Sequence, residues 1–103
     1  TKVDAIIADG IKLSGSTVAE AKVVNVTLAG TRQQLDDKAC REVTIIAKRG
    51  NTGYIYVGKS NVSSTVYGVE LSELDSVTLE VSNTNEIYID ASVSGEGISY
   101  VAI

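Results

Sequence analysis

The chain has 103 residues and a net charge of −4, and it contains no histidine, proline, phenylalanine, tryptophan or methionine. This length is that of one domain, and the acidic balance argues against direct binding to nucleic acid, which requires a basic patch. The absence of histidine removes the commonest general base and the commonest transition-metal ligand, and no apolar run approaches the roughly 20 residues of a membrane-spanning helix. Many of the apolar residues are β-branched, and this composition favours β-strands.

The first 20 residues leave two interpretations open. Apolar and polar residues alternate between residues 3 and 13, which is typical of short extended segments, and a flexible Ser/Gly-rich break follows at residues 14–17. The segment is either an N-terminal arm that orders against neighbouring chains or an ordinary edge strand. We therefore divide the chain into residues 1–20, the arm or edge strand, and residues 21–103, a β-domain.

Turn residues recur about every ten positions through the rest of the chain, and short β-forming segments lie between them. The segment at residues 33–40 is polar and too short for a helix, so we predict a loop or a single turn there. This spacing predicts an all-β fold, an antiparallel β-sandwich or a small jelly-roll-like barrel. The predicted strands are residues 22–29, 41–48, 53–58, 76–82, 86–92 and 98–103, with a further short strand near Leu71.

Alternation within these segments predicts which side chains face the core. Residues 53–58 form a strand between two turns, and we interpret residues 49–63 as a central hairpin strand with its flanking turns. On this strand Tyr54 and Tyr56 share one face. The predicted inward residues include Val24, Val26, Leu28, Val43, Ile45, Ala47, Val77, Leu79, Val81, Ile87, Ile89 and Ala91, with Tyr88 and Asp90 outward.

The sequence shows no catalytic constellation. Cys40 has no histidine to activate it and is expected to be a small buried hydrophobe. The acidic pair Asp36 and Asp37 is typical of a polar loop. The loop at residues 70–75 lacks the alternating oxygen ligands and the glycine of a known calcium site. The glycines near residues 50 and 95 are turn glycines, since no helix follows them. We expect no enzyme activity, no metal and no cofactor.

The five tyrosines allow two interpretations. Exposed aromatic rings on a sandwich are typical of a glycan-binding module, and Tyr54 and Tyr56 would form its platform. Tyrosine is also the only large ring available for packing in this chain, and its hydroxyl can reach solvent or a partner. Packing in the core or at a subunit interface is the interpretation that we favour, and glycan binding is the alternative.

Seven short segments between residues 51 and 100 form a distinctive series, although each segment alone is only a β-turn pattern. They are Asn51-Thr52-Gly53, Ile55-Tyr56-Val57-Gly58, Ser60-Asn61-Val62-Ser63, Gly68-Val69-Glu70-Leu71, Ser76-Val77-Thr78-Leu79, Asn85-Glu86-Ile87-Tyr88-Ile89 and Gly95-Glu96-Gly97-Ile98-Ser99-Tyr100. Through this series the chain resembles, over about residues 27–103, small virion proteins of tailed bacteriophages. One departure is Asp75, which stands where such proteins often have a glycine before the next strand.

The resemblance implies a β-sandwich structural component of a phage particle, made in the host cytoplasm and located on the outer surface of the capsid. It implies a capsid decoration (cement) protein that binds the major capsid protein and assembles as a homotrimer, with no contact to nucleic acid or membrane. A head fibre and a small tail or head–tail connector component are further possibilities. None of these roles includes an active site.

Overall fold

A computed structural model of the protein describes residues 20–103. The interpretation of residues 1–20 as an arm or edge strand therefore lies outside the described residues, except for Glu20, which belongs to the first described strand. Eight strands and one short 3-10 turn, Thr84–Glu86, make up the regular structure of the described part. The strands are β1 Glu20–Asn25, β2 Gln33–Gln34, β3 Val43–Ala47, β4 Ile55–Gly58, β5 Val69–Leu71, β6 Ser76–Leu79, β7 Tyr88–Ala91 and β8 Gly97–Ala102.

The strands form two four-stranded antiparallel sheets. The first sheet has the order β1-β8-β3-β6, and the second has the order β2-β7-β4-β5. The first strand therefore pairs with the last, the second with the seventh, the third with the sixth and the fourth with the fifth. This nested pairing is the jelly-roll arrangement of a β-sandwich, and it confirms the predicted fold class.

The core lies between the two sheets and is almost entirely aliphatic. Ile45 on β3 opposes Tyr100 on β8, and both are nearly inaccessible to solvent. Tyr100 is the largest of the fully buried side chains and supplies the bulk that phenylalanine or tryptophan would give elsewhere. The buried core residues are Val26, Leu35, Val43, Ile45, Ala47, Ile55, Val57, Leu71, Ile87, Ile89, Ala91, Ile98, Tyr100 and Ala102.

The structure corrects the first predicted strand. We predicted residues 22–29, but β1 begins at Glu20, which pairs with Ala102, and it ends at Asn25. Val26 enters the core as expected, whereas Leu28 is 61% exposed. The reason is a turn, in which the Thr31 amide donates to the Leu28 carbonyl and draws the chain away from the sheet.

Two further predictions were wrong in detail. The predicted loop at residues 33–40 contains a two-residue strand, β2, that pairs with β7, and Leu35 beside it is buried. Asp90 lies on the outer face of the second sheet as expected, but it is only 2% exposed. The alternation predicted for β3 and β7 is correct, since Val43, Ile45 and Ala47 are all buried, as are Ile89 and Ala91.

Candidate functional site

The outer face of the first sheet carries no charged side chain over most of its width, and we call it the uncharged face. Its residues alternate with inward-facing residues, which are buried on β3 and β8 and at most partly buried on β1 and β6, so they point away from the core. Val23 is 59% exposed and Val101 is 43% exposed. The face consists of Ala21, Val23, Thr44, Ile46, Ser76, Thr78, Ser99 and Val101.

The strand register arranges the uncharged face in two rows. The hydroxyls of Thr44 and Thr78 lie 3.0 Å apart and bond to each other across β3 and β6. At the end of the face Lys48 donates to the Asn25 side chain at 2.8 Å. A shallow hollow of about 290 Å³ lies over Val23, Ile46 and Val101. The face combines aliphatic and hydroxyl side chains without a charge, so a protein partner can cover it without desolvating an ion.

The outer face of the second sheet has a different chemistry. Tyr56 on β4 opposes Glu70 on β5 and Asp90 on β7, so the three side chains form one row. The ring of Tyr67 packs on the ring of Tyr56, with centroids 5.0 Å apart and planes inclined by 38°. Tyr54 lies two residues before Tyr56 on the same face. We call these five residues the tyrosine cluster.

Burial differs within the tyrosine cluster. Tyr56 is 7% exposed, whereas Tyr54 is 46% exposed and Tyr67 is 44% exposed. Burial raises the pKa of the Tyr56 phenol above its ordinary value, and the nearby Glu70 carboxylate adds to the effect. The phenol therefore stays protonated at neutral pH and remains a hydrogen-bond donor.

Asp90 is a buried carboxylate held by the backbone. Its Oδ1 accepts hydrogen bonds from the Gly30 amide at 3.0 Å and from its own neighbour, the Ala91 amide, at 2.8 Å. Its Oδ2 has no hydrogen bond within residues 20–103. A buried carboxylate needs such donors, and here they fix the position of Asp90 beside Tyr56.

The glycine-rich turn before β4 is held by a side chain from a distant loop. The amides of Thr52 and Gly53 donate to the Glu96 carboxylate at 2.7 and 2.9 Å, and the Thr52 hydroxyl donates at 2.8 Å. Asn51 is buried, and its side-chain amide donates to the Gly97 carbonyl at 2.8 Å. The amides of Thr52 and Gly53 are therefore occupied by the Glu96 carboxylate. This agrees with the prediction that the glycines shape a turn.

The acidic residues singled out in the sequence are engaged in local contacts. Asp36 pairs with Lys22, and Asp37 accepts from the Asn83 side chain at 2.8 Å. In the 70–75 loop Glu73 accepts from the Gly50 amide at 2.6 Å, and Asp75 accepts from the Ser72 amide at 3.0 Å. Their carboxylates hold loops together and do not converge on a common point.

Cys40 is half-buried and packs against the core, so it is less enclosed than expected. Its thiol donates to the Val81 carbonyl at 3.4 Å. Burial raises the pKa of the thiol, and the charge of Glu86 raises it further. A protonated thiol is a poor nucleophile, and the structure brings no base to it within the described part of the chain.

A cleft of about 290 Å³ opens between the two sheets at the edge strands β5 and β6. Val69, Leu79 and Val81 line it and are only partly buried, with Glu80 and Glu86 beside them. We call it the inter-sheet cleft.

Within residues 20–103 there is no group of three or more histidine, cysteine, aspartate or glutamate side chains placed to hold a metal ion. No helix in the same part is long and apolar enough to cross a membrane.

The sequence placed only Tyr54 and Tyr56 together and did not predict the other three members of the tyrosine cluster, Tyr67, Glu70 and Asp90. Tyr67 lies in a connection without alternation, and nothing in the sequence shows that its ring returns to Tyr56. Asp90 has the sequence position of an exposed strand residue, but its carboxylate accepts from the Gly30 amide, which is 60 residues away in the chain. The outward alternation of Tyr54, Tyr56 and Asp90 was the signal that could have brought three of the five together.

Comparison with known proteins gives no match to a family model, to a curated protein or to a solved structure.

Proposed function

We propose that the protein is a structural component of a bacteriophage particle, a capsid decoration (cement) protein that binds between major capsid proteins and stabilises the shell. The observation that carries the proposal is the uncharged face, in which four aliphatic and four hydroxyl side chains stand where a monomer would ordinarily expose charges. The sequence resemblance to phage virion proteins supports the same role.

A neutral sheet face suits attachment to a lattice for a physical reason. Burying exposed Val23 and Val101 is favourable, at about 25 cal/mol for each Å² of apolar surface removed from water. No buried charge has to be compensated by the partner, so the desolvation cost is small. Several copies on one shell, or a trimer that binds as a unit, would add the benefit of multivalency to a modest interface.

The test is binding to expanded capsids of the phage that encodes the protein. Wild-type protein should bind at saturating stoichiometry and raise the temperature at which the shells break. Val23→Asp places a charge in the uncharged face and should weaken binding by at least about tenfold, which corresponds to 1.4 kcal/mol. Leu28→Asp is the matched control, because Leu28 is equally exposed but lies outside this face.

Equal binding by both variants would contradict the role of the uncharged face. Failure of the wild-type protein to associate with any capsid or tail assembly would contradict the proposal as a whole. A tail or head–tail connector component could use the same face. Imaging of whole particles separates these positions, because it gives location, copy number and symmetry together.

The arm interpretation of the N-terminal segment has its own test. Since Glu20 belongs to β1, the appropriate deletion removes residues 1–19. If the segment is an arm, the deleted protein should keep a thermal midpoint close to that of the wild type and lose capsid binding. Equal losses of stability and binding would instead favour the edge-strand interpretation.

A further inference from the structure

We propose that the tyrosine cluster is a binding site for neutral glycans, with the exposed rings of Tyr54 and Tyr67 stacking on pyranose units. The site lies on the outer face of the second sheet, and the uncharged face lies on the opposite side of the sandwich. This is a second function, independent of particle assembly. The tyrosine cluster would remain free to bind a glycan while the uncharged face is attached to a capsid.

The rings of Tyr54 and Tyr67 are exposed. A tyrosine that serves the core is buried, as Tyr100 is, whereas Tyr54 and Tyr67 each leave almost half of their surface in water. A pyranose ring has an apolar face of C–H groups, and this face packs favourably on the electron-rich face of an aromatic ring. Each of the two exposed rings therefore offers a face on which one sugar unit can stack.

The tyrosine cluster is held in place by packing and by backbone hydrogen bonds. Tyr56 lies beneath Tyr67 and supports its ring. The connection that carries Tyr67 is fixed on both sides, because the Gly68 amide donates to the Val57 carbonyl at 2.8 Å and the Ser63 amide donates to the Val66 carbonyl at 2.8 Å. A site that is already ordered loses little conformational entropy when it binds.

Two carboxylates lie beside the rings. Glu70 is exposed and can accept hydrogen bonds from sugar hydroxyls, whereas Asp90 is enclosed and contributes only its charge. Bonds to a charged acceptor are stronger than those between neutral groups. The same two negative charges repel sialic acids and other anionic sugars. The chemistry therefore selects uncharged hexopyranose oligosaccharides.

The experiment uses the full chain on an array of neutral glucose, galactose and mannose oligosaccharides printed beside their sialylated counterparts. The strongest neutral ligand is then titrated by calorimetry against the variants. We expect binding to neutral members only. Tyr67→Ala should weaken it by at least about tenfold, whereas Tyr67→Phe, which keeps the ring, should bind within about threefold of the wild type.

Val23→Ala is the control, because it changes an exposed side chain on the uncharged face and leaves the tyrosine cluster intact. It should bind the glycan as the wild type does. Thermal unfolding of each variant shows whether a loss of binding is a loss of fold, and Tyr54→Ala provides a second variant if Tyr67→Ala unfolds.

The proposal is overturned if no neutral glycan binds, if only anionic glycans bind, or if folded Tyr67→Ala and Tyr54→Ala both bind as tightly as the wild type. Its outcome is separate from that of capsid attachment, because the two assays use different ligands and variants on opposite faces. A protein that decorates capsids and binds no glycan would retain the first function and lose the second.

Discussion

Glu96 stabilises the turn before β4 from a distance of more than 40 residues along the chain. Its carboxylate accepts two backbone hydrogen bonds and one from a hydroxyl, all from Thr52 and Gly53. The hydrogen bond from the Thr52 amide is the largest influence on the pKa of Glu96, and together with that from Gly53 it lowers this pKa below its ordinary value of 4.5. Charged acceptors make the stronger bonds, so protonation weakens the turn.

This geometry predicts a pH dependence of stability. The folded-state pKa of Glu96 is lower than the unfolded-state pKa, so the stabilisation is complete above the unfolded value and is lost as the pH falls through the folded value. Glu96→Gln should therefore unfold at lower urea concentration than the wild type at pH 7. The difference should shrink below pH 4.5, the ordinary value for the group.

Urea titrations at several pH values measure the effect. Glu80→Gln is the matched control, because Glu80 is exposed and accepts no hydrogen bond within the described residues. A constant difference between Glu96→Gln and the wild type from pH 7 to pH 3 would contradict the explanation.

Gly97 begins β8 at a point where two backbones are very close. A Cβ atom built there would overlap the Val24 carbonyl oxygen and would lie 2.7 Å from the Asn25 Cα. Backbone atoms cannot move aside as a flexible side chain can. We expect Gly97→Ala to lower the free energy of unfolding by about 2 kcal/mol, the usual cost of forced overpacking.

Thermal or urea unfolding tests this value. Gly68→Ala is the control, since its Cβ would lie 3.4 Å from the nearest atom, the Val57 carbonyl oxygen. If both alanine variants were equally stable, close backbone approach would not be the reason for glycine at residue 97.

Among the elements, β3 shows most clearly how one strand serves two purposes. It lies between β8 and β6, and its residues alternate between the core and the uncharged face. Ile45 is fully buried, while its neighbour Ile46 points to the opposite side and lines the hollow of the uncharged face. Adjacent residues of the same type therefore have different roles.

This contrast predicts two separable phenotypes. Ile45→Ala should lower the free energy of unfolding by about 3 kcal/mol, because it leaves a cavity in the core. Ile46→Thr keeps the branched shape on the surface and should change stability by less than about 1 kcal/mol, yet it should weaken capsid binding. Unfolding and capsid-binding measurements on both variants test this prediction. A large loss of stability in Ile46→Thr would contradict the placement of Ile46 on the uncharged face.

The elements also show how far the sequence could predict the fold. The alternate apolar residues Val43, Ile45 and Ala47 indicated both the strand and its buried face despite the apolar Ile46 between them, because a half-buried strand leaves a period of two. The alternation of apolar and polar residues also continued through Leu28 and so predicted a longer first strand. The turn after β1 depends on the hydrogen bond from the Thr31 amide to the Leu28 carbonyl, which sequence periodicity does not encode. The strand β2 has two residues, too few for any pattern, and exists only because β7 pairs with it.

The whole molecule is a sandwich with two chemically different outer faces. The sequence predicted the β-sandwich, and its outward-facing Tyr54 and Tyr56 indicated the outer face of the second sheet. The uncharged face was not visible in the sequence, because its eight residues come from four separate strands that become neighbours only through the jelly-roll pairing. This fold occurs in both viral capsid proteins and lectins, so the functions have to be argued from these faces and not from the fold.

We expect copies of the protein to associate with one another. The inter-sheet cleft leaves Val69, Leu79 and Val81 only partly covered at one edge of the sandwich, and the phage resemblance implies a homotrimer. Sedimentation equilibrium should therefore give three times the 10.8 kDa mass of the chain. A monomeric mass across the concentration range would contradict the trimer.

The pairing of β1 with β8 has a consequence for biosynthesis. Half of the uncharged face comes from these two strands, which lie some 70 residues apart and can meet only after β8 has left the ribosome. Incomplete nascent chains therefore lack a finished uncharged face. A released chain completes that face in the same step that closes its first sheet, so under the proposed function only chains synthesised through β8 would attach to a capsid.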